Sequence, residues 1–317
     1  MSRRTQTVRP FRFGVRAVVL AALIGAVSTP ALAAAKPGGH GGGGGTATTT
    51  GNDVSYPQCG STLPSAPAFA IVGLTDGLAN NLNPCFGPSS SYPSYTQSEL
   101  YWAASSATGV TVSQPKVSLY VNTADPGNVY NGTLIGDWPT SGITPYESCS
   151  TTTVTLSSGT YTVGENSPAC AWQYGYNKAT QDATWLAAAA TAISAQESLV
   201  SVSGSASSYP WWLDVETANT WQSNTAMNVA DLQGMIAGLG AAGATTIGAY
   251  STASQWDTVT GGTNSSASGS LYKIPEWLPG ARTLSGATAA CSQTSFTGGQ
   301  ITLTQWFSRP FDSDFAC

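Results

Sequence analysis

Two acidic side chains, two positions apart at the end of an apolar run, are the residues in this sequence best suited to catalysis. They are Asp214 and Glu216, and they follow Trp211-Trp212-Leu213. In a strand such residues point to the same side, with Cα atoms roughly 7 Å apart at a rise of ~3.3 Å per residue. Two carboxyl groups held together beside tryptophan rings cannot both ionise freely, so one can stay protonated and act as a general acid. Such a pair suits cleavage of a glycosidic bond. The competing interpretation is that the pair only caps a helix beginning at Thr217.

The distribution of charge excludes several other classes of function. The chain has 11 Lys and Arg, 16 Asp and Glu, and one His. Five of the basic residues lie in the first sixteen positions, so the remainder lacks the basic surface that nucleic acid or an anionic membrane requires. The single histidine, His40, lies in a glycine run, which excludes a Ser-His-Asp triad and a His-ligated zinc. Carboxylates remain as the working groups, and we expect neither a metal nor a cofactor.

The N-terminal region predicts export. A basic stretch ending at Arg16 precedes an apolar run and the small-residue cleavage site Ala31-Leu32-Ala33. We expect residues 1–33 to be a signal peptide cleaved near Ala33, and residues 34–50 to be a disordered linker rich in glycine and threonine. The alternative is an uncleaved membrane anchor. With cleavage, the protein is expected to be secreted, extracellular, monomeric and free of the membrane.

Six cysteines in an exported chain predict disulfide bonds. Six cysteines allow fifteen connectivities, but their spacing favours sequential pairing, in which each bond closes a local loop. Metal binding is the minor alternative, because no C-x-x-C pair is present. The expected pairs are Cys59 with Cys85, Cys149 with Cys170, and Cys291 with Cys317.

Strand-like and helix-like segments alternate over residues 51–317, which we expect to form one domain. The strands are predicted at residues 69–72, 117–121, 211–215, 246–250 and 301–306, and the helices at 97–107, 178–195 and 226–239. This alternation predicts an α/β fold with a parallel sheet, either open or closed into a barrel. Residues 140–167 interrupt this alternation. They form either a long surface loop held by Cys149 and Cys170 or a segment that contains a β-hairpin.

Six short segments of residues 51–317 match, in order and spacing, the motifs of one protein family. They are Gly51-Asn52-Asp53-Val54-Ser55, Phe69-Ala70-Ile71-Val72-Gly73-Leu74-Thr75-Asp76-Gly77, Asp214-Val215-Glu216, Gly248-Ala249-Tyr250-Ser251, Gln305-Trp306 and Asp312-Ser313-Asp314-Phe315. In these motifs the chain resembles the family 25 glycoside hydrolases, the lysozyme-like muramidases. It resembles more closely a group of secreted bacterial proteins with a family 25-like barrel. The resemblance implies a single TIM-type (β/α) barrel, irregular and with fewer than eight helices.

The resemblance also implies roles for four acids. Glu216 would be the proton donor, and Asp214 would orient or stabilise the positively charged sugar intermediate. Asp53 and Asp312 would complete an acidic cluster at the ends of the first and last strands. Asp76, in the second motif, would contact the substrate.

Three aromatic residues near strand ends are candidates for contact with sugar rings. These are Tyr120, Trp212 and Trp306, of which at least one is expected to stack on a pyranose ring. For Trp212, packing in the barrel is an equally good interpretation. Two departures from the family affect the substrate groove: its Y-H-F strand is Tyr120-Val121-Asn122 here, and the lysine of its second strand is Gly73.

The sequence therefore predicts a secreted hydrolase of β-1,4 bonds in the glycan of bacterial cell walls, peptidoglycan, or in a related amino-sugar polymer. The alternative is a barrel that binds cell-wall glycan without turnover. A third interpretation, a structural protein, would leave the four acids unexplained. Convergence of Asp53, Asp214, Glu216 and Asp312 in one open cleft is the observation that would favour the enzyme.

Overall fold

The structure, a computed structural model, describes residues 50–109, 114–262 and 265–317. The predicted signal peptide and all of the predicted linker except Thr50 lie outside the described residues, as does the alternative membrane anchor. Within the described ranges, no helix is both long and apolar enough to cross a membrane.

The strands and helices below are given in chain order for the part of the chain that the structure describes. The strands are β1 (Thr50–Val54), β2 (Ala70–Gly73), β3 (Val117–Asn122), β4 (Val129–Tyr130), β5 (Thr133–Leu134), β6 (Gly142–Ile143), β7 (Ser148–Cys149), β8 (Thr151–Leu156), β9 (Gly159–Gly164), β10 (Trp211–Asp214), β11 (Ile247–Tyr250), β12 (Glu276–Ala281), β13 (Ile301–Trp306) and β14 (Asp312–Ala316). The α-helices are α1 (Glu99–Ser106), α2 (Pro168–Ser194), α3 (Thr225–Ala241), α4 (Ala253–Thr260) and α5 (Leu284–Ala290). Short 3-10 helices lie at Tyr56–Gln58, Tyr95–Gln97, Ala206–Ser208 and Ser266–Leu271.

Eight of the strands close into one barrel. Their order around the barrel is β1-β2-β3-β10-β11-β12-β13-β14, and β14 pairs again with β1. All neighbours are parallel except β14, which is antiparallel to both β13 and β1. The α/β barrel with fewer than eight helices is therefore confirmed over the described residues. Because β14 is reversed, its first residue, Asp312, lies opposite Asp53 at the carboxyl end of β1.

Two of the parallel strands, β2 and β10, are buried along their whole length because both of their faces are covered. All four residues of β2 and all four of β10 are buried, as expected for parallel strands between a packed interior and outer helices. Trp212 and Trp277 pack inside the barrel with Phe69, Ile71 and Leu303. Gly248 makes room for this packing, since a Cβ there would lie 2.4 Å from the Trp212 ring.

Most predicted elements occur within a few residues of their expected bounds, but some elements were missed. Strand β12 was missed because it contains Pro279 and a buried Glu276, and its pairing register with β13 shifts at this point. Proline and register shifts disguise a strand in the sequence pattern. Helices α4 and α5 were also missed, and α2 begins at Pro168 rather than at residue 178.

Residues 140–167 contain two hairpins, which confirms the second interpretation of this segment. Strands β6 and β7 form one, and β8 and β9 form a longer ribbon that pairs Thr151 with Gly164. The disulfide between Cys149 and Cys170 connects β7 to the first turn of α2.

The six cysteines form the three sequential disulfide bonds that their spacing predicts. Cys59 pairs with Cys85 and Cys291 with Cys317, each across 26 residues, and Cys149 pairs with Cys170 across 21. The bond from Cys291 to Cys317 connects the end of α5 to the residue after β14, the strand that carries Asp312.

Removal of this last disulfide should lower both stability and activity. The double variant C291A/C317A should lose about 3 kcal/mol of unfolding free energy, the value for a loop of this length in the chain-entropy model. Removing Cys149–Cys170 should cost a similar amount and leave activity intact, because that bond holds the hairpin segment. Urea unfolding measures the first effect, and an assay of the cell-wall hydrolysis that the sequence predicts measures the second. Equal activity loss in both variants would contradict this assignment.

Helices α2 and α3 pack closely over a group of buried acids. Their backbones meet at glycines, and a Cβ on Gly175 would lie 2.0 Å from the carbonyl oxygen of Asp231. Asp182 on α2 and Asp231 on α3 are each 1% exposed. Burial raises the pKa of both carboxyl groups well above the usual range; the nearby Lys178 opposes the rise at both, and Asp125 adds to it at Asp231.

These buried acids should make the protein more stable in acid than at neutral pH. In the unfolded chain an aspartate ionises near pH 3.9, whereas in the folded chain these groups stay protonated. Above that pH the unfolded state binds fewer protons than the folded state, so the unfolding free energy falls as the pH rises. D182N should reduce the fall, and D257N, at an exposed carboxylate, should leave it unchanged. A denaturation series from pH 4 to 8 tests this, and a pH dependence identical in D182N and the parent would refute it.

Candidate active site

The four predicted acids converge on one cavity at the carboxyl end of the parallel strands. The cavity has a volume of about 210 Å³. Its lining residues are Asp53, Ser55, Pro57, Gln58, Tyr120, Asp214, Glu216, Tyr250, Trp277, Gln305 and Asp312. The convergence that would favour an enzyme over the alternatives is therefore present.

Asp214 ends β10 and is held by a neighbouring strand. It is 6% exposed, and its Oδ2 accepts a hydrogen bond of 2.5 Å from Asn122 Nδ2 on β3. Asn122 is fixed in turn, because its Oδ1 accepts from Thr75 Oγ1 at 2.9 Å. Burial raises the pKa of Asp214 well above the usual range, and the charges of Glu216 and Asp53 add to the rise.

Glu216 lies two residues beyond β10, nearer to solvent. It is half-buried, and its backbone carbonyl accepts a hydrogen bond of 2.8 Å from Trp221 Nε1. Burial raises the pKa of Glu216, while a hydrogen bond from Gln255 lowers it. Gln255 is itself held by the backbone N–H of Thr217, which donates to its Oε1 at 2.8 Å. Glu216 is thus an accessible carboxyl group that retains its proton above the pH at which an ordinary glutamate loses it.

On the opposite side of the cavity, Asp53 lies next to a second buried acid, Asp314. Gln305 Nε2 donates to Asp53 Oδ2 at 3.0 Å, and Trp277 Nε1 donates to Asp314 Oδ1 at 2.9 Å. Burial raises the pKa of Asp53 to about 6; the Gln305 hydrogen bond opposes the rise and the Asp312 charge adds to it. Asp314 is fully buried, and burial with the neighbouring Asp53 charge raises its pKa well above the usual range. A proton on Asp314 allows the two carboxyl groups to share a hydrogen bond.

The cavity is therefore an acidic site that contains exchangeable protons. None of its lining residues is Lys or Arg, so the negative charges are relieved only by protonation and by neutral donors. Crowded carboxyl groups in a desolvated site divide into protonated and ionised members, which general acid catalysis requires.

Tyr120 forms one wall of the cavity. Its hydroxyl makes a hydrogen bond with Ser55, and burial raises its pKa well above the usual range. A Cβ on Gly73 would lie 2.6 Å from Tyr120 Cζ and 2.7 Å from the Cβ of Ser55. The side of β2 on which the family's lysine would stand is therefore occupied by the ring of Tyr120, the tyrosine that this chain shares with the family.

Three of the predicted substrate contacts do not line this cavity. Trp212 is 2% exposed and packs inside the barrel, which favours the packing interpretation. Trp306 follows Gln305 in β13, and successive side chains of a strand point to opposite faces. Because the Gln305 side chain enters the cavity, Trp306 points away from it. Asp76 lies in the loop after β2, where its backbone N–H donates to the carbonyl of Asn81 at 3.1 Å. Of the four predicted contacts, Tyr120 alone lines the cavity.

Several site residues were not identified from the sequence. Tyr250 and Gln305 lay inside matched motifs, and the tyrosine hydroxyl donates to Gln305 Oε1 at 3.0 Å. Trp277 was missed with its strand, and Asn122 was noted only as a departure from the family. No local signal in the sequence pairs these donors with their acids, because Asn122 is 92 residues from Asp214 and Gln305 is 252 residues from Asp53.

In the described residues, one group of side chains has the spacing of metal ligands: Cys59, Cys85 and Glu99. The two cysteines are joined in a disulfide and offer no thiolate to a metal. This group is therefore not a metal site.

Substitution of Gly73 should disturb the candidate site through Tyr120. In G73A the new methyl group would overlap the Tyr120 ring, at a cost of about 1–3 kcal/mol in unfolding free energy and with loss of glycan binding. G136A is the matched control, since a Cβ at that glycine has no neighbour within 4 Å. Thermal unfolding and glycan titration of both variants measure the effect. Unchanged glycan binding in G73A would contradict the role given to the tyrosine wall.

Comparison with known proteins identifies similar structures at low sequence identity. A lysozyme from Streptomyces coelicolor is 18% identical over 84% of this chain and 91% of its own, with a TM-score of 0.41. A muramidase from Trichobolus zukalii is 15% identical over 85% and 94%, also with a TM-score of 0.41. A family 25 glycosyl hydrolase of Streptococcus pneumoniae is 16% identical over 84% and 86%, with a TM-score of 0.36.

One family model matches part of the chain, and no curated protein matches it. The family is described as Lysozyme-like protein 1, and the match covers residues 194–274. These residues contain β10 with Asp214 and Glu216, and extend through β11 and α4. Over this segment the chain is lysozyme-like, which confirms the resemblance predicted from its motifs.

Proposed function

We propose that this protein is a secreted glycoside hydrolase that cleaves β-1,4 bonds of peptidoglycan or a related amino-sugar polymer. The observation that carries the proposal is the arrangement of Asp53, Asp214, Glu216 and Asp312 around one cavity with Tyr120 in its wall. A barrel that served only as a scaffold would gain nothing from this arrangement, because gathering four carboxyl groups destabilises the fold.

In this proposal Glu216 donates the proton to the leaving oxygen. Both members of the pair line the cavity, but Glu216 is the more exposed one, and its raised pKa keeps it protonated in mildly acidic solution. After transfer, the carboxylate is stabilised by the Gln255 hydrogen bond.

Asp214 has the complementary role of stabilising positive charge on the sugar. Asn122 and Thr75 fix its orientation from β3 and the end of β2. As positive charge develops on the sugar ring, the balance at Asp214 moves toward the carboxylate form, since an opposite charge nearby favours ionisation. A buried carboxylate acts more strongly on such a charge than an exposed one does.

Separate features support the proposed substrate and the proposed location of the protein. The lysozyme-like match over residues 194–274 and the motif resemblance support a cell-wall glycan as substrate. Three disulfide bonds support function in an oxidising compartment outside the cytoplasm. We extend the proposal to a signal peptide over residues 1–33 and a linker up to residue 50, followed by a monomeric domain.

Glu216→Gln should strongly lower the rate of hydrolysis and preserve binding. The amide keeps the shape of the side chain but has no proton to donate, so turnover should fall by ~10²–10⁴, the range usual for general acids. Asp214→Asn should also be severe. In the parent, activity should fall as the pH rises through the raised pKa of Glu216, because the proton donor is then lost. Dye release from labelled cell walls measures turnover, and co-sedimentation with the same walls measures binding.

Glu147→Gln is the matched control, because Glu147 is an exposed acid between β6 and β7. It should match the parent in both assays. An E216Q variant that digests walls at the parental rate would refute the assignment of the proton donor. A parent that binds walls and never hydrolyses them would establish the non-catalytic alternative.

A further inference from the structure

A second cavity lies beside the candidate active site. Its volume is about 370 Å³, within the range of roughly 300–1,000 Å³ typical of small-molecule sites. Gln58 lines both this cavity and the candidate active site. The second cavity lies between the segment after β1 and the first turns of α1.

Glu99 is the buried group of this second cavity. It is 1% exposed, and its Oε2 accepts a hydrogen bond of 2.7 Å from Asn83 Nδ2. Its Oε1 is also buried and has no hydrogen-bond partner among the described residues. Buried polar atoms nearly always have a partner, so an unpaired oxygen on a side chain that lines a cavity points to a ligand that donates a hydrogen bond there. The proposed mechanism does not use this residue.

The rest of the lining indicates the chemistry of that ligand. The polar side chains are uncharged hydroxyl and amide groups, including Ser61, Thr62, Thr96 and Gln97. Trp102 provides an aromatic surface, and its ring is fixed because Nε1 donates to the carbonyl of Pro64 at 2.8 Å. Hydroxyl donors and acceptors beside an indole ring suit a neutral, hydroxyl-rich ring. With no Lys or Arg in this lining, an anionic ligand is disfavoured.

We propose that the cavity between Glu99, Thr62 and Trp102 is a second saccharide-binding site, which holds a sugar unit of the same glycan chain that occupies the neighbouring cavity. A sugar hydroxyl donates to Glu99 Oε1, and Gln58 lies at the junction of the two cavities. This inference rests on the proposed function for the identity of the polymer. Binding in the cavity can be measured without hydrolysis.

The test uses the tetrasaccharide of β-1,4-linked N-acetylglucosamine and the full, disulfide-bonded chain. E216Q is the background, so that turnover does not consume the probe. A crystal structure of the complex should contain a sugar ring in the second cavity with a hydroxyl in hydrogen-bond distance of Glu99. Thr62→Trp should fill the cavity from an exposed position and weaken tetrasaccharide binding at least tenfold by calorimetry.

Thr155→Trp is the matched control, since Thr155 is exposed on the β8–β9 ribbon, and its affinity should equal that of the background. Ser61→Trp provides a second filling variant if T62W unfolds. Ordered water alone in the cavity, or full affinity in the filled variant, would overturn the inference. The two proposals can fail separately. If the parent protein does not hydrolyse cell walls but its second cavity still binds the sugar, the proposed hydrolase is refuted and the second binding site is retained.

Discussion

The crowding of carboxyl groups at one end of the barrel is the constraint on which the rest of the site depends. Asp53, Asp214, Glu216 and Asp312 line a cavity without a basic residue, and Asp314 is buried beside Asp53. Such a cluster exists only if some members keep protons and the others receive neutral donors. Asn122, Gln305 and Trp277 are those donors, and each comes from a different strand of the barrel. The closure of the barrel therefore brings the hydrogen-bond donors and the carboxyl groups together.

The two members of the acid pair differ in their exposure to solvent. Asp214 is the last residue of a buried strand, whereas Glu216 has left the strand and is half-exposed. One group is thus held rigidly by side chains from the barrel, and the other can meet a ligand that arrives from solvent. A two-residue spacing at the end of a strand is enough to produce this division, because Asp214 still belongs to the buried strand and Glu216 lies beyond it.

Much of the fold could be predicted because its signals are local. Apolar runs such as 211–215 identified strands, and the cysteine spacing identified all three disulfides. The acids were found from short motifs, and they do meet in one cavity. Side-chain direction was harder to predict: Trp212 and Trp306 sit on suitable strands, yet one packs in the interior and the other points away. Trp277 lies on a strand whose proline hides the strand pattern in the sequence. Asp314 affects the site through Asp53, which is far away in sequence. These relations depend on register around a closed sheet, which no local pattern contains.

The reversed strand β14 also has a consequence for how the molecule folds. It pairs with β1, so that Asn52 contacts Asp312 across 260 residues of chain. Closing so long a loop costs conformational entropy before any contact is gained, so we expect this pairing to form late and folding to be slow. Every earlier element can form while the ring is still open, but Asp53 then has neither Asp312 opposite it nor Asp314 beside it. We therefore expect the acidic cavity to be complete only when the barrel closes, so that a partly folded chain can hold Asp214 in place while Asp53 still lacks Asp312 and Asp314.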